Sequence, residues 1–274
     1  MATVQEFTLS DTLWKRLAPL LPVHVPKAHP LDCYRRRIPD RDVLIPIFFV
    51  LRTGCQWKAL NAMGLCKGFT THSRSQHRVQ AGVFARLWDE TLGDLIGLNF
   101  SWLALDGSLH KAPLGGEINS PPHTDRAKGG VKCSRLTEVR GIPVGLVLDG
   151  ANRHDVKLVD STLAGLPPVA EAARDVHRAA GGEQGLCRDA GYDAIQVRET
   201  LTALGDTAYI RPRGEEVQAK KAGQKARRWV MERTHSWLSR FRYLLIRRAK
   251  NSENYSAMLH FASARITWYN CLFG

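Results

Sequence analysis

The fold is decided by the stretch WLALDG at residues 102–107, where the hydrophobic periodicity changes from helical to strand-like. The apolar run ends at Asp106, which predicts a short buried strand with an acid at its carboxyl end. A second stretch of this kind, GLCR at 185–188, is followed by Asp189. Open α/β sheets bind ligands at the carboxyl ends of their strands. We therefore expect both acids to line a functional site.

The surrounding residues predict a mixed sheet with helices against its faces. Two apolar runs at 131–139 and 144–148 predict a hairpin, because the RGIP segment between them is typical of a turn. The further predicted elements are a helix near 155–166, a strand at 186–188, a helix over 194–204, a strand at 208–210 and long helices at 225–248 and 252–269. This alternation indicates an α/β fold.

The chain before residue 99 has a helical pattern and predicts a small all-α N-terminal domain, residues 1–98, ahead of an α/β domain, residues 99–274. The predicted features are an N-cap at Ser10 and Asp11, a loop over 24–39, a buried helix over 42–53 and a third helical stretch over 70–92.

Two arginines near the start of the third helical stretch are candidate DNA contacts. Arg74 and Arg78 are one helical turn apart and suit phosphate or guanine if this domain reads DNA as a helix-turn-helix unit. The alternative is that they only solvate the helix.

Composition excludes several classes of protein. The chain has 274 residues, 44% of them hydrophobic, which suits one large globular domain or two. The longest apolar run, 43–51, contains Pro46 and falls far short of the ~20 residues that a membrane-spanning helix needs. The N-terminus does not resemble a signal peptide, and the six cysteines form no C-x-x-C pair. We expect a cytoplasmic protein with reduced thiols and no membrane partner, associated with the nucleoid when bound to DNA.

The net charge of +13 is concentrated near the C-terminus. Residues 201–274 carry 14 basic and 5 acidic side chains, and the segment 220–250 has eleven basic residues and one acid, Glu232. A solvated helix face normally mixes both signs. The one-sided charge therefore predicts a polyanionic partner and favours nucleic acid over an anionic membrane.

Asp106, Asp189 and Glu232 form a candidate metal site. Carboxylates without a His/Cys cluster suit a hard cation such as Mg²⁺, and two such ions suit displacement at a phosphodiester. The alternatives are that the aspartates are turn or cap residues and that Glu232 pairs with Arg228.

Long motifs in the chain resemble the IS5-family insertion-sequence transposases. They are LDGSLHKAPLGGE (105–117), DRAKGGVKCSRLTEVRGIPVGLVLDGANRHD (125–155), DAGYD (189–193) and RRWVMERTHSWLSRFRYLLIRRAKNSENY (227–255). The segment VLRTGCQW (50–57) resembles the helical domain before the catalytic core of that family.

The resemblance implies an RNase H-like DDE transposase in which Asp106, Asp189 and Glu232 are the catalytic, metal-binding acids. It implies Mg²⁺ as the cofactor, with Mn²⁺ as the expected substitute. The implied partners are double-stranded DNA, namely terminal inverted repeats and target DNA, and further copies of the chain in a homodimer or larger synaptic assembly. The implied reaction cuts at the transposon ends and joins the 3′-OH ends to target DNA.

Basic residues of the C-terminal segment are the expected DNA contacts. The family signature Tyr-x2-Arg-x3-Glu-x6-Lys is matched at Arg228 and Glu232, whereas its Tyr and Lys positions are Lys225 and Ser239. The candidate phosphate contacts are Arg228, Arg233, Arg240, Arg242 and Arg247. His110 and Lys111 are expected either to touch DNA or to lie on a loop in solvent.

Two other functions fit the same sequence. One is a catalytically silent DNA-binding protein derived from a transposase, and the other is a metal-dependent nuclease without strand transfer. The acids are identical in all three cases, so the sequence leaves these functions as alternatives.

Overall fold

A computed structural model describes residues 7–25, 37–122, 129–188, 195–203, 205–210 and 229–273. The N-terminal part is helical, as predicted. Its elements are α1 (Asp11–Leu17), a 3₁₀ turn (Ala18–Leu20), α2 (Asp40–Thr53), α3 (Ala59–Ala62), α4 (Gly68–Gln80) and α5 (Val83–Gly93). The Ser10 hydroxyl accepts a hydrogen bond from the Leu13 N–H at 3.3 Å, which confirms the predicted N-cap.

The single helical stretch predicted over 70–92 is wrong, because α4 and α5 are separate helices. Gly82 lies between them with φ +66°, a left-handed conformation that glycine adopts without steric cost. The chain therefore turns at Gly82, and α5 takes a new direction.

The sheet has five strands, and its order confirms the predicted RNase H-like α/β class. The strands are β1 (Trp102–Lys111), β2 (Gly130–Thr137), β3 (Pro143–Gly150), β4 (Gln184–Arg188) and β5 (Asp206–Ile210). Their spatial order is β3-β2-β1-β4-β5; β1 to β3 are antiparallel, and β4 and β5 run parallel to β1. The predicted hairpin is β2 and β3.

The strand carrying Asp106 is longer than predicted and does not end at this residue. Among the described residues, β1 pairs with β4 from Trp102 to Ala104, and its antiparallel pairing with β2 continues to Lys111. The long partner β2 therefore extends the strand past Asp106, which lies in the middle of β1.

The remaining helices cover the sheet. They are a 3₁₀ turn (Asp155–Leu158), α6 (Val159–Ala164), α7 (Pro168–Ala179), α8 (Ile195–Ala203), α9 (Trp229–Ser239), a 3₁₀ turn (Arg242–Leu244) and α10 (Ser252–Phe273). The sequence pattern predicts no element at α7, which begins with Pro168 in its first turn, where proline is tolerated.

The long helix predicted over 225–248 is also wrong at its C-terminal end. α9 ends at Ser239, and the chain then turns toward the end of β1. There the Arg247 N–H donates to the Lys111 carbonyl at 2.8 Å, and Ile246 forms a parallel bridge with Lys111. Backbone pairing with the sheet replaces the helix in this segment.

The N-terminal helices and the sheet share one apolar core. α10 packs against α5, and Phe261 of α10 stacks on Phe84 of α5 with ring centroids 4.8 Å apart. The same apolar cluster includes Leu105 of β1. The division into domains 1–98 and 99–274 stays a prediction. None of the described helices is long and apolar enough to span a membrane.

We expect His260 of α10 to make stability dependent on pH. Its ring stacks on Trp88 with centroids 5.4 Å apart, and burial lowers the pKa of His260 to about 4. The unfolded chain, with a histidine pKa near 6.5, binds more protons between about pH 6.5 and 4. The free energy of unfolding should therefore fall as the pH drops through this window, by up to about 1.4 kcal/mol per pH unit from this residue.

Urea unfolding of the wild-type chain and of His260→Leu across this pH window measures the effect. The slope of stability against pH should be smaller in His260→Leu. His24→Leu, at an exposed position, is the matched control. Equal slopes in wild type and His260→Leu would contradict the prediction.

Candidate functional site

Helix α9 lies against the sheet where β1 and β4 stop pairing. Met231 packs with Ala104 of β1 and Cys187 of β4, which are register partners, and accepts a 3.2 Å hydrogen bond from the Thr137 hydroxyl at its sulfur. Ala104 and Cys187 each precede a predicted catalytic aspartate by two residues. The contacts of Met231 therefore bring α9 to the sheet edge at which the sequence predicts the site.

Asp106 presents a partly exposed carboxylate at this edge. Its side chain is 39% exposed. One carboxylate oxygen, Oδ1, accepts a hydrogen bond from the Gly107 N–H at 2.9 Å. The other, Oδ2, lies 3.2 Å from Nε2 of His235 on α9. Each oxygen retains acceptor capacity for a further ligand.

The contact between Asp106 and His235 also positions Glu232. Glu232 is exposed and precedes His235 by three residues, so the two side chains lie on neighbouring turns of one helix face. A helical turn rises about 5.4 Å. Helix geometry therefore places Glu232 about one turn from the contact between His235 and Asp106. The third predicted acid, Asp189, lies outside the described residues.

Behind Asp106 is a buried arginine that faces it across the β1–β2 ladder. Arg135 is the register partner of Asp106, and its side chain bridges two histidines. Its Nη1 lies 2.8 Å from Nδ1 of His235, and its Nη2 lies 2.8 Å from Nε2 of His110. Because a guanidinium only donates hydrogen bonds, both of these ring nitrogens must be acceptors.

The same reasoning assigns the protons on both rings. His235 carries its proton on Nε2 and donates it to Asp106. His110 carries its proton on Nδ1 and donates it to the Leu244 carbonyl at 2.8 Å. Burial and the neighbouring Arg135 charge lower the pKa of His110 to about 3, which keeps its ring neutral. The neutral ring of His110 therefore passes the hydrogen bond from Arg135 on to the Leu244 carbonyl, and His235 links Arg135 to Asp106 in the same way.

The far end of this network is anchored on α10. The Tyr255 hydroxyl donates to the Leu244 carbonyl at 2.7 Å and lies 3.1 Å from Nδ1 of His110. Ser108 of β1 contributes its hydroxyl at 2.8 Å from Nε2 of His110. Of the two alternatives for His110 and Lys111, a loop in solvent is wrong, because both residues belong to β1; contact with DNA stays a prediction.

The carboxylates suit a hard divalent cation. Asp106 and Glu232 offer oxygen donors, which Mg²⁺ and Mn²⁺ accept. Among the residues that the structure describes, no three or more His, Cys, Asp or Glu side chains are arranged so that they could hold a metal ion together. With Asp189 outside this set, the donors present fit a metal held by few protein oxygens.

Three of the predicted DNA contacts are wrong as surface contacts. Arg78 is 2% exposed and binds Asp40 at 2.6 Å. Arg74 is mostly buried, contacts the same carboxylate and donates to the Ile38 carbonyl at 2.6 Å. Arg247 is fully buried and donates to backbone carbonyls.

The other predicted DNA contacts remain compatible with binding. Arg240 and Arg242 are exposed after the end of α9. Arg233 is partly buried, stacks between Trp229 and Trp237 at 4.5 and 5.2 Å from their ring centroids, and donates to the Arg140 carbonyl. Arg228 lies outside the described residues.

His235 and Arg135 are not among the site residues predicted from the sequence. One available signal is the alternation of Asp106, Ser108 and His110, which places three polar side chains on one face of a strand. The position of Arg135 opposite Asp106 depends on the hairpin register, which the sequence leaves undetermined.

Family models match most of the chain. A model described as Transposase DDE domain matches residues 100–267, and one described as Putative transposase of IS4/5 family matches residues 9–88. The chain belongs to the DDE transposases. It is a DNA transposase, and membership implies divalent-metal-dependent polynucleotidyl transferase and endonuclease chemistry.

Two proteins of Burkholderia cepacia are similar to this DDE transposase. A putative transposase for insertion sequence element IS402 is 32% identical over 149 residues, which cover 54% of this chain and 67% of that protein. An uncharacterized 16.2 kDa protein of insertion element IS402 is 35% identical over 108 residues, covering 38% of this chain and 73% of that protein.

Solved structures give weaker similarities. A pre-cleavage Mos1 transpososome matches with a TM-score of 0.32 and 8% identity, covering 88% of this chain and 81% of that one. The Mos1 mariner paired end complex with Mn matches with a TM-score of 0.29 and 10% identity, covering 91% and 81%. Values this low add nothing to the assignment.

Loss of the Arg247 side chain should destabilise the transposase. Its guanidinium donates to the carbonyls of Glu117 at 2.5 Å, Lys250 at 2.8 Å and Ala249 at 2.9 Å. Arg247→Met removes all three of these hydrogen bonds, although the Lys250 carbonyl still accepts from the Glu117 N–H at 2.9 Å. Because the three bonds come from a buried guanidinium and each contributes about 1 kcal/mol, we expect the free energy of unfolding to fall by about 3 kcal/mol.

Chemical denaturation measures this effect, with Arg248→Met at the exposed neighbouring position as the matched control. The control removes the same charge and should change stability by no more than about 0.5 kcal/mol. Equal stability of the two variants would contradict the structural role of Arg247.

Proposed function

We propose that this chain is an IS5-family transposase that cuts at the terminal inverted repeats of an insertion sequence and joins the 3′-OH ends to target DNA. Asp106, Asp189 and Glu232 are the proposed catalytic residues and the ligands of Mg²⁺, with Mn²⁺ as a substitute. When bound, the two ions supply activation of the attacking oxygen and stabilisation of the leaving oxygen.

The observation that carries this proposal is the 3.2 Å contact between His235 and Asp106. It joins the helix with Glu232 to the strand with Asp106 at the point where β4 also ends. The residue Asp189 follows β4 directly in sequence. The contact between the strand of Asp106 and the helix of Glu232, together with the position of Asp189 directly after β4 in sequence, supports a shared metal site.

Exposed arginines near the end of α9 are the proposed contacts to DNA phosphates. Arg240 and Arg242 are exposed, and Arg233 and Arg228 belong to the same basic segment as Glu232. Their charge attracts the backbone of DNA without reading its sequence. We infer that they hold the DNA end beside the acids.

The proposed assembly is a homodimer or a larger complex, since two transposon ends must be held together for joining. Light scattering of the protein on paired DNA ends measures the number of copies. A single copy per pair of ends would contradict this part of the proposal.

Removing a proposed metal ligand should abolish chemistry and leave DNA binding intact. We expect Asp106→Asn, Asp189→Asn and Glu232→Gln to lower the rates of cleavage and strand joining by about 10²-fold or more, because each loses an anionic ligand that would hold the divalent cations. The assay uses labelled DNA with the element's own terminal repeats, in Mg²⁺ and in Mn²⁺. Glu253→Gln, an exposed acid on α10, is the control.

The same assay separates the alternatives. Metal-dependent joining that the three variants lose supports the transposase. Binding without cutting by the wild-type chain would instead identify a silent DNA-binding derivative, and cutting without joining would identify a nuclease.

Substitution of the exposed arginines should weaken DNA binding at all sequences alike. We expect the double variant Arg240→Ala/Arg242→Ala to bind DNA more weakly and to reduce the slope of log affinity against log salt by about 2, one unit for each lost phosphate contact. Fluorescence anisotropy at several salt concentrations measures the slope. Arg153→Ala, at an exposed position after β3, is the control and should keep the wild-type slope; an unchanged slope in the double variant would contradict the assignment.

A further inference from the structure

We propose that His235 and Arg135 are positioning residues that orient the Asp106 carboxylate for metal binding and fix its distance from Glu232. This inference rests on the proposed metal site and goes beyond it, because neither residue belongs to the three acids. It is carried by the hydrogen-bond network that runs from Asp106 through His235, Arg135 and His110 to the Leu244 carbonyl.

Two hydrogen bonds hold the Asp106 carboxylate in one orientation. The carboxylate is partly exposed and extends from a strand, so its rotamer needs support. The Gly107 N–H holds Oδ1 and His235 holds Oδ2. With both oxygens engaged, the plane of the carboxylate is fixed while further lone pairs stay available for a metal.

Arg135 sets the direction of the hydrogen bond between His235 and Asp106. An isolated neutral imidazole can carry its proton on either nitrogen. Arg135 removes this freedom, because its guanidinium can only donate to Nδ1. Nε2 is therefore the donor, and the lone pair that would repel the Asp106 carboxylate is absent from that side of the ring.

Burial of the Arg135 guanidinium has a cost in free energy. The side chain is buried, and within the described ranges no carboxylate forms a direct ion pair with it. A buried guanidinium without an ionic partner is expensive to maintain. Its two charge-assisted bonds to imidazoles instead direct its charge through His235 toward Asp106, which explains its place opposite that residue.

His235 links the position of Glu232 to that of Asp106. His235 and Glu232 share one face of α9, so the same contact that orients Asp106 also sets where α9 lies on the strand. Met231 and Thr234 hold the helix on the adjacent side, the latter by donating to the Gly141 carbonyl at 2.6 Å. Removal of the His235 donor should therefore loosen the spacing of Asp106 and Glu232 without removing α9.

The test compares His235→Phe with His235→Gln. Phenylalanine fills the site without a donor, whereas glutamine places an amide N–H near the position of the imidazole Nε2. Ser236→Ala, at the exposed neighbouring position, is the matched control. Arg135→Met and Arg135→Lys form a second pair of variants. Methionine removes all N–H donors of the guanidinium, whereas lysine keeps donors on a single ammonium group. Circular dichroism and thermal unfolding establish that each variant is folded.

The first readout is direct binding of Mn²⁺, followed by electron paramagnetic resonance, with no DNA present. We expect His235→Phe to bind Mn²⁺ about 10- to 100-fold more weakly than wild type, the range typical of residues that orient metal ligands. His235→Gln should recover most of this loss, and Ser236→Ala should equal wild type. The concentration of Mg²⁺ required for half-maximal DNA cleavage should rise in the same order.

The second readout is the tautomer of His235 in the metal-free protein, observed by long-range ¹H–¹⁵N correlation. We expect a proton on Nε2 in wild type and a mixture of tautomers in Arg135→Met. This measurement remains valid even if His235→Phe does not fold, because it is made on wild type and Arg135→Met, which both retain the His235 ring.

The outcomes separate this inference from the proposed function. If the wild-type chain binds Mn²⁺ and Asp106→Asn does not, the metal site stands. Unchanged Mn²⁺ affinity in His235→Phe would then overturn the positioning role alone, as would a loss in His235→Gln equal to that in His235→Phe, or a proton on Nδ1 in wild type. Absence of Asp106-dependent Mn²⁺ binding in the wild-type chain would overturn the metal site itself.

Discussion

A buried guanidinium between two imidazoles is the constraint on which the site depends. Arg135 can only donate, so it dictates the proton positions of His235 and His110 and, through them, the contacts of Asp106 and the Leu244 carbonyl. Each partner comes from a different part of the chain, and the geometry of one contact limits the geometry of the next. A charge in the interior is costly unless it is hydrogen-bonded, and among the described residues Nη1 and Nη2 of Arg135 have partners whereas Nε has none. Because both bonds are needed to offset this cost, they favour a single arrangement of β1, β2 and α9.

The C-terminal helix connects this network to the helical N-terminal part. Tyr255 of α10 contacts the network through the Leu244 carbonyl, and burial raises the pKa of its hydroxyl far above the ordinary value, so the proton that it donates is retained. Less than two turns later the same helix stacks Phe261 on Phe84 of α5. The N-terminal helices therefore support the helix that anchors the site, whatever contact with DNA they make themselves.

Local patterns predicted those elements that local interactions determine. The hairpin of β2 and β3, strand β4 and helix α10 follow from apolar periodicity and turn residues, and Asp106 follows from its place after an apolar run. Long-range contacts account for the failures. The end of α9 at Ser239 reflects pairing of the following segment with Lys111, more than a hundred residues earlier. The positioning of Asp106 by Arg135 likewise requires the register of two strands, which no short stretch of sequence encodes.

The arginines show why total charge is a limited guide to a DNA-binding surface. Arg78 neutralises Asp40 beside Arg74, and Arg174 with Arg178 neutralises the buried Asp206, so these charges are used within the chain. Arg247 is buried among backbone carbonyls instead. Exposed positive charge persists where the segment after α9 carries Arg240, Arg242 and Arg248. Because an arginine satisfied by internal partners gains little from a phosphate, the positive charge of this surface depends on which arginines are exposed rather than on how many arginines the chain has.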